Sequence, residues 1–79
     1  MPIETVEVRL EAKGKIVGKT ISRIQKEHGI KVLQLENFCD RAFPYSWEHP
    51  SHNRIVKEED LLTIQGKQNI VKKFCEELN

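Results

Sequence analysis

The sequence predicts an α+β domain with one small mixed β-sheet and two helices, in the order β-α-β-β-β-α. Residues 5–10 alternate between apolar and polar side chains, which is typical of a strand with one buried face and one wet face. Apolar residues recur every three or four positions within 17–24 and again within 70–78, which is typical of amphipathic helices. The chain of 79 residues is expected to form a single domain, 1–79, near the size at which one core only just suffices.

The composition argues against several classes of function. Thirteen basic residues stand against twelve acidic ones and the two signs are interspersed, so no broad surface for nucleic acid or an anionic membrane is expected. No apolar run approaches the roughly 20 residues of a membrane span, and the N-terminus lacks the apolar stretch of a signal peptide. Cys39 and Cys75 are too few for a disulfide framework, so we expect a reduced, cytoplasmic environment.

The first half of the chain predicts a strand, a helix and a second strand. The strand at 5–10 is expected to lead into a short amphipathic helix, with Gly18 near the start of that helix. Gly29 stands where a left-handed C-terminal cap would end the helix. Residues 30–36 are β-prone and apolar on both sides in their middle, so they predict a more central strand than the first.

Residues 37–51 hold four of the five aromatic side chains of the protein. Phe43, Tyr45 and Trp47 alternate at a period of two, so an extended segment would present all three rings on one face. Pro44 lies within this run and cannot donate to a β-ladder. We therefore predict an edge strand or an irregular loop in this region.

An acidic turn at 58–60 precedes the last strand, which is predicted at 61–66 with alternate residues facing the core. Asp60 is expected to accept hydrogen bonds from backbone N–H groups in that turn. Gly66 is expected to end the strand by adopting a backbone angle that other residues resist. Together with Gly18, these two residues are predicted to have structural roles in turns.

The aromatic stretch supports two interpretations. As a functional face, its rings would stack on a base while neighbouring arginines hold a phosphate. As a structural face, the same rings would close the core or fill the interface of a homodimer, and we favour this interpretation because a small domain has few other large groups to bury. The residues of this candidate ligand or dimer interface are Arg41, Phe43, Tyr45, Trp47, His49 and Arg54.

No catalytic residue, cofactor or metal site is predicted. The loop histidines and the two cysteines lack the paired spacing of a structural zinc site. The segment 14–20 ends in Gly-Lys-Thr as phosphate-binding loops do, but position 13 is lysine where such a loop needs glycine. We therefore expect a protein that is not an enzyme.

Three segments, in their order along the chain, resemble the RCK C-terminal domain, also called the TrkA-C domain. They are Ile-Val-Gly-Lys-Thr-Ile at 16–21, Gly-Ile-Lys-Val-Leu-Gln-Leu at 29–35 and Glu-Asp-Leu-Leu-Thr-Ile-Gln-Gly at 59–66. This family comprises the small regulatory modules attached to potassium channels, potassium-uptake regulators and several cation/proton antiporters. The resemblance implies a TrkA-C-like fold.

The same resemblance implies a cytoplasmic module that regulates a potassium or other cation transport system. Such a module would pair as a homodimer and sense a small molecule or nucleotide. Its partner would be a membrane cation channel or transporter, which would hold it at the inner face of the membrane, and no nucleic-acid partner is expected. The alternative is a stand-alone module that recognises another protein through an aromatic edge.

Two departures from the family pattern bear on this expectation. Glu59 stands where the family usually has glycine before the aspartate of the last turn. After the second strand, Glu36 and Asn37 stand where the family commonly has an arginine, in a region that helps some relatives to bind cyclic di-AMP. We therefore expect weak or no binding of cyclic di-AMP by this chain.

Overall fold

The structure, a computed structural model, describes residues 4–39 and 44–78. Its helices and strands follow the predicted order, and the α+β class is confirmed. Neither α-helix in these two ranges is long and apolar enough to cross a membrane. The elements are β1 (Thr5–Glu11), a 3₁₀ turn (Gly14–Ile16), α1 (Ile21–His28), β2 (Lys31–Asn37), β3 (Tyr45–Glu48), β4 (Leu61–Lys67) and α2 (Gln68–Leu78).

The four strands form one sheet in the order β1-β4-β2-β3, and every pairing between neighbours is antiparallel. The expectation of a mixed sheet is therefore wrong in this respect. The sheet is purely antiparallel because β4 lies between β1 and β2 and runs opposite to both. The strands β1 and β2 are parallel to each other but are not neighbours, so no parallel ladder forms. As predicted, β2 lies inside the sheet and β3 lies at its edge.

Both helices pack against one face of the sheet. In β4, Leu62 and Ile64 are buried on this face, whereas Leu61 and Thr63 are half-buried on the opposite face, as the alternation predicts. Val6, Val8 and Leu10 of β1 pack against the same cluster from the edge. The buried apolar residues of the core are Ala12, Ile16, Ile21, Ile24, Ile30, Val32, Leu35, Val56, Leu62, Ile64, Val71, Phe74 and Leu78.

The first helix begins at Ile21, later than the apolar spacing predicts, because a tight turn precedes it. Gly18 lies in that turn with a φ of 90°, a conformation that disfavours side chains with a Cβ. Thr20 caps the helix, since its hydroxyl oxygen accepts a hydrogen bond of 3.2 Å from the backbone nitrogen of Arg23. Gly29 ends the helix in the predicted left-handed cap.

The prediction for the backbone of Gly66 is wrong. The strand continues through this residue, whose φ is not positive, and α2 begins directly afterwards at Gln68. The position instead favours glycine because of close packing. A Cβ there would lie 3.3 Å from Cγ2 of Val71 and 3.4 Å from Cγ2 of Ile30. The absence of a side chain therefore lets the start of α2 fold tightly back over the end of β4.

We expect Gly66→Val to lower the free energy of unfolding by about 1–3 kcal/mol, because the branched side chain overpacks the space against Val71. The melting temperature should fall by roughly 4–8 °C for each kcal/mol in a domain of this size, measured by thermal unfolding. Gln65→Val is the matched control, because Gln65 neighbours Gly66 in β4 but its side chain points to the opposite face of the sheet. Equal melting temperatures for the two variants would contradict this packing argument.

Candidate functional site

Tyr45 and Trp47 lie side by side on β3, at the edge of the sheet. Their rings are stacked, with centroids 4.5 Å apart and planes inclined by 16°. In the ladder with β2, Tyr45 lies opposite Asn37 and Trp47 lies opposite Leu35, so both rings share the face of the sheet that carries the core. Trp47 nevertheless keeps 44% of its surface exposed. The prediction that these rings share one face is confirmed for these two residues.

Arg54 joins the two rings from the loop between β3 and β4. Its guanidinium carbon lies 4.8 Å from the ring centroid of Tyr45 and 4.8 Å from that of Trp47. One guanidinium nitrogen, Nη2, donates a hydrogen bond of 2.8 Å to the hydroxyl of Tyr45. Cation–π contact and this hydrogen bond together hold the arginine against the rings. We call Tyr45, Trp47 and Arg54 the aromatic edge.

Asp60 anchors the aromatic edge from inside the protein. The residue is fully buried, and its Oδ1 accepts hydrogen bonds from the Tyr45 hydroxyl and, at 2.9 Å, from Nδ2 of Asn37. Its Oδ2 accepts a hydrogen bond of 2.8 Å from the backbone nitrogen of Lys57, as the sequence predicts for this turn. A buried carboxylate is tolerated only when such donors satisfy its oxygens. Asp60 thus positions Tyr45 as well as closing the turn.

Sequence reasoning missed Asn37 as a member of this network. The signal was present in the alternation of β2, because Leu35 faces the core and a residue two positions later faces the same way. An amide at that position needs a buried partner. Asp60 supplies it, and the side-chain oxygen of Asn37 also accepts a hydrogen bond of 3.0 Å from the backbone nitrogen of Cys39.

The turn before β4 contains the first departure from the family pattern. Glu59 has a φ of 70°, in the left-handed region that glycine adopts with little strain. The turn thus keeps a backbone conformation suited to glycine while it presents a carboxylate. That carboxylate is the main reason why the pKa of the Cys39 thiol is raised above its usual value, with burial second. A thiol of raised pKa is a poor nucleophile.

The loop that carries Arg54 is hydrogen-bonded to the beginning of α1. The backbone nitrogens of Ile21 and Ser22 donate to the carbonyl oxygens of Arg54 and His52, at 2.9 and 3.0 Å. Thr20 also forms a β-bridge with Ile55. These bonds satisfy N–H groups that the first turn of a helix cannot satisfy by itself. They fix the backbone of the loop and hence the position from which Arg54 reaches the rings.

The remaining predicted site residues are placed differently. His49 is exposed immediately after β3, and its backbone nitrogen donates a hydrogen bond of 2.8 Å to the carbonyl oxygen of Leu33. Arg41 and Phe43 lie outside the residues that the structure describes. Across the described ranges, no three His, Cys, Asp or Glu side chains are grouped so that they could hold a metal ion.

Tyr45 is the sole tyrosine of the chain, so its ionisation can be followed directly. Burial first, and then the hydrogen bond to Asp60, raise the pKa of Tyr45 above its usual value of 10.0, while Arg54 opposes this shift. A raised folded-state pKa means that the neutral phenol stabilises the fold below pH 10.0 and that this stability is lost as the pH rises through the folded-state pKa.

We therefore expect the tyrosinate absorbance of the folded protein to appear at higher pH than that of the protein in denaturant. Arg54→Met should move the midpoint higher still, because it removes the cation that favours the phenolate. A folded-state midpoint equal to that in denaturant would show that Tyr45 is not held in this buried hydrogen bond.

The fold is that of an RCK C-terminal domain. The chain is similar to the GsuK RCK domain with a TM-score of 0.74 and 23% sequence identity, over 91% of this chain and 16% of that chain. It is also similar to the RCK C domain of the potassium transport protein KtrA, solved in complex with cyclic di-AMP. There the TM-score is 0.75 and the identity 21%, over 94% of this chain and 84% of that one.

The comparison with solved structures confirms the resemblance at the level of the fold. No protein-family model and no curated protein matches the sequence. The present chain corresponds to nearly the whole KtrA C domain but spans only 16% of the GsuK chain. The ligands and transport systems of those two proteins are properties of those proteins, and a similar role for this chain is a proposal.

Proposed function

We propose that this chain is a regulatory module of a potassium or other cation transport system. The observation that carries the proposal is the similarity to the KtrA RCK C domain over 94% of the chain, with a TM-score of 0.75. In this proposal the module is cytoplasmic and is held at the inner face of the membrane by a cation channel or transporter. Its role is to pair and to sense a small molecule or nucleotide.

The module would act by changing the arrangement of two subunits, not by catalysis. A ligand or partner that binds one arrangement more tightly shifts the population towards it, by no more than the difference in affinity. The side chains support this view, because the thiol of Cys39 lies beside Glu59 in a setting that disfavours the nucleophilic thiolate. The fold neighbours are regulatory domains as well.

The aromatic edge is our candidate for the contact between two copies. Trp47 is 44% exposed in the single chain, although indole rings rank among the residues that proteins most often bury at interfaces. Its ring is already ordered by stacking on Tyr45 and by Arg54. A preorganised aromatic side chain loses little conformational entropy when a second subunit covers it.

Cyclic di-AMP is not our preferred ligand for this chain. The two residues that replace the family's arginine are engaged within the domain. Glu36 is buried and lies 3.1 Å from the guanidinium of Arg9, and Asn37 donates to Asp60. A carboxylate in this region would repel a phosphate, and breaking its pair with Arg9 to accommodate one would cost free energy.

The proposal is tested in the organism that encodes the chain. Disruption of the gene should change growth at limiting potassium and the rate of rubidium uptake, and the unaltered gene should restore both. A gene carrying Trp47→Glu should restore them less well than one carrying Lys72→Gln, a change at an exposed position of α2. Unchanged growth and uptake of potassium, rubidium and sodium after disruption would overturn the proposal.

A stand-alone protein-interaction module is the second candidate, and the exposed ring of Trp47 at a sheet edge favours it. In that case cation uptake would be unaffected by disruption of the gene. A partner protein would then be retained by the unaltered chain and lost with Trp47→Glu. The two candidates therefore give opposite results in the uptake measurement.

A further inference from the structure

A groove of about 560 Å³ lies between α1, α2 and the 3₁₀ turn. Its volume falls within the range of roughly 300–1,000 Å³ that is usual for small-molecule sites. Phe74, which is buried, and Ile70, which is half-buried, line its apolar floor. Lys15 and Lys73, both exposed, line its rim from two different elements. The groove therefore combines an apolar surface with positive charge.

Each acidic side chain of the groove has a basic neighbour, and Glu27 is paired with two cations. Glu27 accepts hydrogen bonds of 2.7 Å from Nζ of Lys19 and of 2.7 Å from Nε of Arg23. The hydrogen bond from Lys19 and then that from Arg23 lower the pKa of Glu27 from 4.5 to about 2. This carboxylate therefore stays ionised at neutral pH, with its charge neutralised by the two cations. Oε2 of Glu77 lies 3.5 Å from Nδ1 of His28.

Lys15 and Lys73 differ from these groups. Among the described residues, neither of the two forms an ion pair. The groove is lined by three lysines, Lys15, Lys19 and Lys73, and by two carboxylates, Glu27 and Glu77, so it carries an excess of one positive charge. Asn69 adds an amide that can donate hydrogen bonds to the same space.

We propose that this groove binds a small phosphomonoester, with its phosphate between Lys15 and Lys73 and its apolar or ring portion against Ile70 and Phe74. The phosphate dianion matches the two unpaired ammonium groups, which bind phosphate as point charges. Burial of a ring on the floor supplies affinity that a bare phosphate lacks. The inference does not rest on the proposed regulatory function, because it concerns only the groove of this chain.

The test is a titration of the ¹⁵N-labelled chain with phenyl phosphate and, separately, with inorganic phosphate, at constant ionic strength. We expect saturable shifts of the amides of Lys15, Asn69 and Lys73, with that of Trp47 unchanged. Phenyl phosphate should bind more tightly than inorganic phosphate. Lys15→Gln and Lys73→Gln should each weaken the binding of phenyl phosphate by about threefold to tenfold.

Lys72→Gln is the matched control, because Lys72 neighbours Lys73 on α2 and is also exposed but does not line the groove. It should change the affinity by less than about twofold. An equal loss with Lys72→Gln would mean that the chain attracts phosphate only by its general surface charge. That result would overturn the proposal. So would equal affinity for phenyl phosphate and inorganic phosphate, and so would the absence of saturable shifts.

Discussion

Asp60→Ala is expected to lower the free energy of unfolding by about 2–4 kcal/mol, and the melting temperature by roughly 10–25 °C. The substitution leaves three donors inside the protein without their acceptor: the amide of Asn37, the hydroxyl of Tyr45 and the backbone nitrogen of Lys57. Each unsatisfied buried donor costs the free energy of its lost hydration. Thermal and urea unfolding followed by circular dichroism measure the loss.

Two further variants separate the hydrogen bonds of Asp60 from its charge. Asp60→Asn keeps a carbonyl oxygen for Tyr45 and Asn37 but sets an amide nitrogen against the N–H of Lys57, so we expect an intermediate loss. Glu58→Ala removes an exposed carboxylate from the same turn and should alter stability by less than about 0.5 kcal/mol. A stability for Asp60→Ala close to that of Glu58→Ala would contradict the network.

Trp47→Glu is expected to convert a homodimer of this chain to monomer. If the aromatic edge forms the interface, the substitution places a charge in the contact and removes a large ring from it. Loss of a central aromatic side chain commonly costs about 2 kcal/mol or more of binding free energy, which is roughly a thirtyfold rise in the dissociation constant. Sedimentation velocity over a range of protein concentrations measures the change.

Ser46→Glu provides the control, because it adds the same charge one residue earlier, on the opposite face of β3. There the hydroxyl of Ser46 lies 3.1 Å from the side-chain amide of Gln34, away from the stacked rings. The control should remain dimeric. Dissociation by Ser46→Glu alone would place the interface on the open face of the sheet, and a monomeric unaltered chain at all accessible concentrations would remove the basis for the dimer.

The elements of this fold are predictable from the sequence where the signal is local. The alternation in β1 and β4, the apolar stripe of α2 and the left-handed cap at Gly29 each arise from neighbouring residues. Pro44, which cannot donate to a β-ladder, predicts an edge strand or an irregular loop, and β3 is found at the edge of the sheet. These features required no knowledge of which strands meet.

The features that the sequence does not predict are contacts between distant parts of the chain. The insertion of β4 between β1 and β2 depends on pairing across the whole sequence, so no local pattern reveals it. A local pattern predicts a special backbone angle at Gly66, because it does not reveal the neighbour across the fold, Ile30. The turn predicts the backbone partner of Asp60 but not its side-chain partners Asn37 and Tyr45, which are 23 and 15 residues away. The aromatic edge was foreseeable as a set of residues but not as a network.

The hydrogen bonds between the loop and α1 have a consequence for local opening. The N–H groups of Ile21 and Ser22 are protected from solvent only while the carbonyl oxygens of Arg54 and His52 remain in place. We therefore expect the first turn of α1 and this loop to open together. Because the side chain of Arg54 stacks on Trp47, a molecule that orders the aromatic edge is expected to slow hydrogen exchange at the start of α1 as well.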